Sequence, residues 1–243
     1  MARYCSHMSP YDFNPGTLPL LITVPHGIHL DQSSHSHLNE RATGLKQEEL
    51  NIIETAQALC TALTKNGKKP ALLIARVHRS RIDFGRSPHI IKGESAYDDP
   101  RAAALYAAHE TCIQAWKNAQ PVQKIALLID LHGCRTETHA VFFGTRCGIT
   151  CPARYLLKLQ TTMMHAGWDI SPLPGQPERQ FYGRGDSIIS RHNLAARSAN
   201  QASIQIELSS LIRNTPHLRQ RLAQDLAAAL LTIFESSAQN MLQ

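Results

Sequence analysis

Between Lys124 and Gly133 the chain reads Lys-Ile-Ala-Leu-Leu-Ile-Asp-Leu-His-Gly, and no other stretch constrains the fold as strongly. From Ile125 to Leu131 six of seven residues are apolar, broken only by Asp130, which is the pattern of a strand buried on both faces. Strand alternation puts Asp130 and His132 on the same side, and Gly133 lets the chain turn sharply afterwards. Open α/β sheets bind ligands at the carboxyl ends of their strands, where this carboxylate and imidazole fall. On its own, Asp-x-His is satisfied by nearby backbone as readily as by a ligand. A second segment of the same build changes the balance: Leu18 to Val24 is an apolar run that ends in Pro25-His26-Gly27.

The rest of the chain fits around these two strands. Residues 1–16 read as an irregular lead-in. Residues 28–44 are polar and rich in histidine (His29, His35, His37) without a period, so they are expected to form a long loop over the site. Helical spacing runs through Leu50, Ile53, Ala56, Leu59, Cys60 and Leu63, and Asn66-Gly67 closes it. Ala71 to Val77 is a second buried strand. Asp99-Pro100 starts a helix that is expected to run to about Trp116. Further strands are expected at 140–145, 168–170 and 202–208, with helices from Pro152 to His165 and from about Thr215. In the strand from Ala202 to Leu208, Ser203, Gln205 and Glu207 share one face. Strand and helix in alternation predict an α/β fold: a mixed, mostly parallel central sheet with helices on both faces. No internal repeat or linker divides the 243 residues, so one domain is expected.

Composition excludes several classes. With 43% hydrophobic residues the chain can bury a core without disulfides, and its six cysteines have no framework spacing. Cys147-x-x-x-Cys151 lacks the second pair a structural zinc site needs. The N-terminus has no apolar signal-peptide core, and no apolar run approaches the roughly 20 residues of a membrane span. These features predict a cytoplasmic protein that does not engage a membrane. The formal charge of +6 is scattered, which favours small anionic substrates over nucleic acid. Oligomeric state is not legible.

Two strands thus end in histidine, and a third carries Glu207 among hydrophobic residues. Two neutral imidazoles and a carboxylate with an open fourth position form the ligand set of a catalytic zinc. A further carboxylate can move the proton of a water. Asp130 is suited to hold the outer nitrogen of an imidazole ligand.

The set of segments resembles the N-formylglutamate amidohydrolase family of zinc hydrolases, which are similar in fold to the carboxypeptidases. The matching pieces are Val24-Pro25-His26-Gly27, Glu40-Arg41-Ala42-Thr43-Gly44, Arg79-Ser-Arg-Ile-Asp83-Phe-Gly-Arg86, Ile129-Asp130-Leu131-His132-Gly133, Tyr182-Gly183 and Ile204-Gln205-Ile206-Glu207, in family order. The resemblance implies one zinc ion held by His26, His132 and a carboxylate from the segment after the first histidine. Glu49 is the best match for that carboxylate, with Glu48 and then His29 as alternates. Glu207 matches the general base. Arg79 and Arg86 match arginines that grip a substrate carboxylate, and Arg79 could also stabilise an oxyanion. Asp83 belongs to the same substrate-binding turn, and Tyr182 is placed to close over a substrate. The implied substrate is a small acidic N-acyl amino acid.

Three departures matter. The turn that reads Asp-x-Asn-Arg in the family is Asp83-Phe84-Gly85-Arg86 here, so a side chain expected at the substrate is missing. Ile28 follows Gly27 where the family has a small residue, and the third ligand is glutamate in place of aspartate. The first departure leaves the acyl group and the amino acid open. It also supports a second reading, a non-catalytic binder of small acidic ligands. Arg81 reads as structural, His35, His37, His139 and His192 as surface histidines, and the Arg184-Gly185-Asp186 tripeptide as chance.

Overall fold

The structure, a computed structural model, describes residues 9–89, 94–181, 183 and 185–240, the side chains of 236–240 excepted. Tyr182, and Arg184 of the tripeptide, lie outside the described residues. Among those described, seven strands make one sheet: β1 (Tyr11–Asn14), β2 (Leu20–Val24), β3 (Ala71–Ala75), β4 (Ala126–Gly133), β5 (Ala140–Gly144), β6 (Asp169–Ser171) and β7 (Gln201–Leu208). Their spatial order is β1-β3-β2-β4-β7-β5-β6. The β2–β3, β2–β4, β4–β7 and β5–β6 pairs are parallel, while β1–β3 and β5–β7 are antiparallel. The fold is the mixed, mostly parallel α/β sheet that the alternation of segments predicts.

Helices α1 (Ile52–Lys65), α2 (Ala103–Ala119), α3 (Ala153–His165), α4 (Ile188–Arg191), α5 (Ser210–Asn214) and α6 (Pro216–Asn240) complete the described structure. The larger core lies on the face covered by α1, α3 and α6, where Leu20, Ile22, Ile129, Leu131, Ile204 and Ile206 meet Leu59, Leu159 and Leu230. On the opposite face Leu21, Leu73, Leu128, Ile113 and Ile188 form a smaller core. In β2, β3 and the first part of β4 alternation therefore gives two apolar faces, as their hydrophobic runs require. No described helix is long and apolar enough to cross a membrane.

One expectation needs correction. The lead-in contains β1, which pairs antiparallel with β3 through Tyr11↔Ala75 and Phe13↔Leu73. Its four residues are mostly exposed. A strand this short, half wet and at a sheet edge, carries too little hydrophobic periodicity to be seen in the sequence.

Chain direction positions the site. From β2 the chain crosses through α1 to β3, on one side. From β3 it returns past β2 through α2 to β4, on the other. The carboxyl ends of β2 and β4 therefore flank a switch point in strand order, where an open sheet leaves a crevice. His26 follows β2 and His132 ends β4. Register then sets β7 beside them: Asp130 pairs with Gln205 and His132 with Glu207.

Leu230 on α6 is fully buried in the larger core, away from this crevice. Leu230→Ala should lower the unfolding free energy by about 2–5 kcal/mol through lost burial and a residual cavity. Urea unfolding followed by circular dichroism checks it; an unchanged midpoint would contradict the packing described.

Candidate metal centre

His26, Glu49 and His132 converge at the switch point, and one donor atom from each lies within 4.8 Å of the others. All three side chains are buried. Each comes from a different segment: the turn after β2, the loop before α1, and the end of β4. The loop is held in place by the Glu49 amide, which donates to the carbonyl of His26 at 2.8 Å. Glu49 Oε1 is 3.0 Å from His26 Nδ1 and 3.3 Å from His132 Nδ1. Its Oε2 accepts the Gly133 amide at 2.9 Å.

The outer nitrogen of each imidazole has its own aspartate. His26 Nε2 lies 2.6 Å from Asp83 Oδ1, and His132 Nε2 lies 3.0 Å from Asp130 Oδ2. Asp130 is in turn fixed by the Thr23 hydroxyl, which donates at 2.8 Å from the neighbouring strand β2. With Nε2 committed on both rings, Nδ1 is the nitrogen left to face Glu49. Two imidazoles oriented by carboxylates and aimed at a third carboxylate fit a zinc ion by donor type and by number.

Electrostatics describe what balances the buried charge. Burial works against ionisation of Glu49, but His132 and His26 outweigh it and hold this carboxyl well below its usual range. Burial likewise disfavours the charged form of His132, yet Asp130 and Glu49 raise its pKa well above the ordinary value. Glu207 behaves differently. Burial raises its pKa, with Glu49 adding to the rise and His132 opposing it. Gln205 Nε2 donates to Glu207 Oε1 at 2.8 Å.

The remaining expected residues are distributed as follows. Glu48 and His29 pair with each other at 3.3 Å, away from the His26–Glu49–His132 cluster, and the other oxygen of Glu48 is 3.3 Å from His78 Nε2. Glu49, not its two alternates, is the carboxylate brought to the histidines. Asp83 requires a correction: it is not open to a substrate. It is almost fully buried, and its oxygens take His26, the Gly85 amide at 3.0 Å, Arg79 Nε at 3.0 Å and Arg41 at 3.4 Å. Its proper place is behind His26. Arg79 spans Asp83 and Glu49, donating to Glu49 Oε1 at 3.3 Å, and still lines the cavity. Arg86 also lines it, with Glu94 at 3.4 Å and Asp186 at 3.6 Å. His192, expected at the surface, is buried with its Nε2 3.1 Å from Glu110. The polar Ser-Arg-His-Asn context gave no hint that α4 turns inward.

The missing asparagine has a structural counterpart. A Cβ on Gly85 would stand 2.8 Å from the His26 ring and 3.1 Å from Asp83 Oδ1. Here the backbone itself packs against the ligand, and no side chain fits without moving His26.

The cavity above the cluster has a volume of about 570 Å³. His26, Glu49, His132, Glu207 and Arg79 line it, together with Leu45, Gln47, Arg135 and Phe181. Three further residues at the site have no role that the sequence alone assigns. Gln205 was visible only as a polar member of a strand face. Arg41, whose guanidinium reaches the carbonyls of Ser95, Leu45 and Arg79, sat unassigned in a polar motif. Arg213, buried at the cavity wall, carries no motif around it in the sequence.

Zinc should displace the His132 proton, so binding should release protons and weaken as pH falls. Asp83→Asn should cost roughly ten- to a hundredfold in zinc affinity while Glu48→Gln stays within about twofold. Competition with a chromophoric chelator at two pH values measures both. Equal losses in the two variants would contradict the ligand assignment.

No family model matches the sequence. No curated protein matches it either. Solved structures do match by fold. N-formylglutamate amidohydrolase from Ralstonia eutropha JMP134 superposes with a TM-score of 0.69 at 15% identity, covering 96% of this chain and all of that one. Gene product Atu2144 from Agrobacterium tumefaciens gives 0.65 at 13% identity, covering 96% and 97%. A metallo-carboxypeptidase from Pseudomonas aeruginosa gives 0.51 at 13% identity; 96% of this chain covers 59% of that one. The chain therefore has the carboxypeptidase-like α/β fold of these proteins, with a buried His-Glu-His cluster at its switch point.

Proposed function

With that shared fold as premise, we propose that the chain is a zinc-dependent amidohydrolase that cleaves the amide of an acidic N-acyl amino acid. N-formylglutamate or a related γ-glutamyl amide are the substrates to try first. The observation that carries this reading is the convergence of His26 Nδ1, Glu49 Oε1 and His132 Nδ1 beside a separate buried acid, Glu207. A zinc ion bound there would supply Lewis acidity, polarising an amide carbonyl and lowering the pKa of water.

The protein's own groups have distinct parts in this reading. Asp83 and Asp130 hold the two rings so that both Nδ1 atoms stay aimed at Glu49. Glu207, whose pKa burial raises, is in its ionised form a stronger base than an exposed carboxylate, suited to accept a proton from the attacking water and return it to the leaving nitrogen. Gln205 fixes one of its oxygens, so the other is available for that transfer. Arg79, which lines the cavity, is assigned to the carbonyl oxygen, where its guanidinium would meet the developing charge. Arg86 supplies a planar two-pronged donor for the substrate carboxylate, in competition with Glu94 and Asp186. A cavity of this size and arginine content suits a small anion, and nucleic acid has no part in the proposal. The described cysteines are all unpaired thiols, which supports placing the reaction in the cytoplasm.

Loss of the turn asparagine favours the second reading, a non-catalytic binder of acidic ligands, but such a binder has no use for Glu207. Glu207→Gln should keep zinc and lose roughly a hundred- to ten-thousandfold in turnover. His132→Ala should lose zinc and activity together. A screen of N-acyl amino acids and short γ-glutamyl peptides with the zinc-loaded protein provides the assay. Near-normal turnover in Glu207→Gln would remove it as the base, and a zinc-loaded parent inert to every substrate would favour the binder.

A further inference from the structure

Arg213 is a buried charged group to which this chemistry gives no part. It lies on α5, five residues past Leu208, and is only 5% exposed. Its guanidinium donates in three directions: Nε to the Leu208 carbonyl at 3.1 Å, Nη2 to the Cys134 carbonyl at 3.0 Å, and Nη1 to the Leu50 carbonyl. Among the described residues it forms no ion pair. Burying a guanidinium whose direct partners are neutral carbonyls is costly, and the nearby charges of Glu49 and Glu207 offset that cost only in part, so such a group calls for a reason.

The identity of the three carbonyls supplies one. Leu50 directly follows Glu49, Leu208 directly follows Glu207, and Cys134 lies two residues past His132. One guanidinium thus joins the three segments that carry a metal-ligating carboxylate, a metal-ligating imidazole and the buried acid. Gly133 is shaped to admit it. A Cβ there would lie 2.4 Å from Arg213 Cζ, and the amide of the same glycine donates to Glu49 Oε2 at 2.9 Å. Only a planar fork with donors in fixed directions makes these contacts at once; a lysine ammonium presents a single point.

We infer that Arg213 is a positioning residue, a clip on the Glu49, His132 and Glu207 segments that sets the ligand atoms at their working separation before a metal arrives. The inference rests on the zinc reading above. Ligands already ordered need not be immobilised on binding, so the clip should show in metal affinity as well as in turnover.

The test measures zinc affinity of the metal-free protein by chelator competition, alongside thermal unfolding and, once a substrate is known, kcat and KM. Arg213→Lys keeps the charge, Arg213→Met keeps much of the packing, and Gly133→Ala pushes on the guanidinium while leaving it in the chain. All three should lose at least about tenfold in zinc affinity, with kcat falling more than KM rises. Leu230→Ala, destabilised but remote, should retain the parent affinity. If Arg213→Met does not fold, the lysine and alanine variants decide. Parent-like affinity in Arg213→Lys, or a fall in melting temperature without a fall in affinity, would overturn the inference while leaving the metal reading intact. A parent chain that binds no zinc would overturn both.

Discussion

A single buried carboxylate sets the terms for this structure. Glu49 is enclosed by protein and reaches two imidazoles, one arginine and one backbone amide. An ionised carboxylate in such a place is unfavourable unless cations or strong donors meet it. The surrounding groups are arranged to do that. Asp83 and Asp130 keep both imidazoles in orientation, while Arg79 bridges Asp83 to Glu49. The result is alternating charge in a small volume, with more acids than fixed cations at its centre. A divalent cation at the three donor atoms would complete that balance.

The backbone brings these groups together by ordinary sheet geometry. Two parallel strands whose connections leave in opposite directions place His26 and His132 side by side, with ring centroids 4.9 Å apart. Parallel register with β7 then puts Glu207 next to His132 without any further device. The same face of the sheet runs Thr23, Asp130 and Gln205 as a polar row one step deeper. Thr23 bonds to Asp130, and Gln205 bonds to Glu207. Apolar residues on the opposite face pack against α1, α3 and α6, so the strands that carry the site are backed by the larger core.

Much of this was legible in the sequence because its signals are periodic. The β4 run, the strand ending at His26 and the alternation around Glu207 each announce a buried strand with a polar group at its end. Mostly parallel topology followed from the order of strands and helices. What was not legible depends on tertiary contact. The resemblance already ranks Glu49 above Glu48, but the physical ground for that order is the turn before α1, since adjacent residues on an irregular segment point wherever that turn sends them. Asp83 reads as a substrate contact in a charged turn, and only the fold shows it behind His26. Gly85 reads as a missing side chain; the structure shows a close approach of backbone to imidazole. Arg213 gave no signal, because an arginine in a polar helix looks the same whether its donors meet water or carbonyls.

The most direct measurement is anomalous diffraction above and below the zinc absorption edge, from crystals grown with one equivalent of zinc. The account predicts a single strong peak bounded by His26 Nδ1, Glu49 and His132 Nδ1, with Glu207 beside it and making no bond to the metal. A peak between His29 and Glu48, or none within reach of His26 and His132, would contradict it.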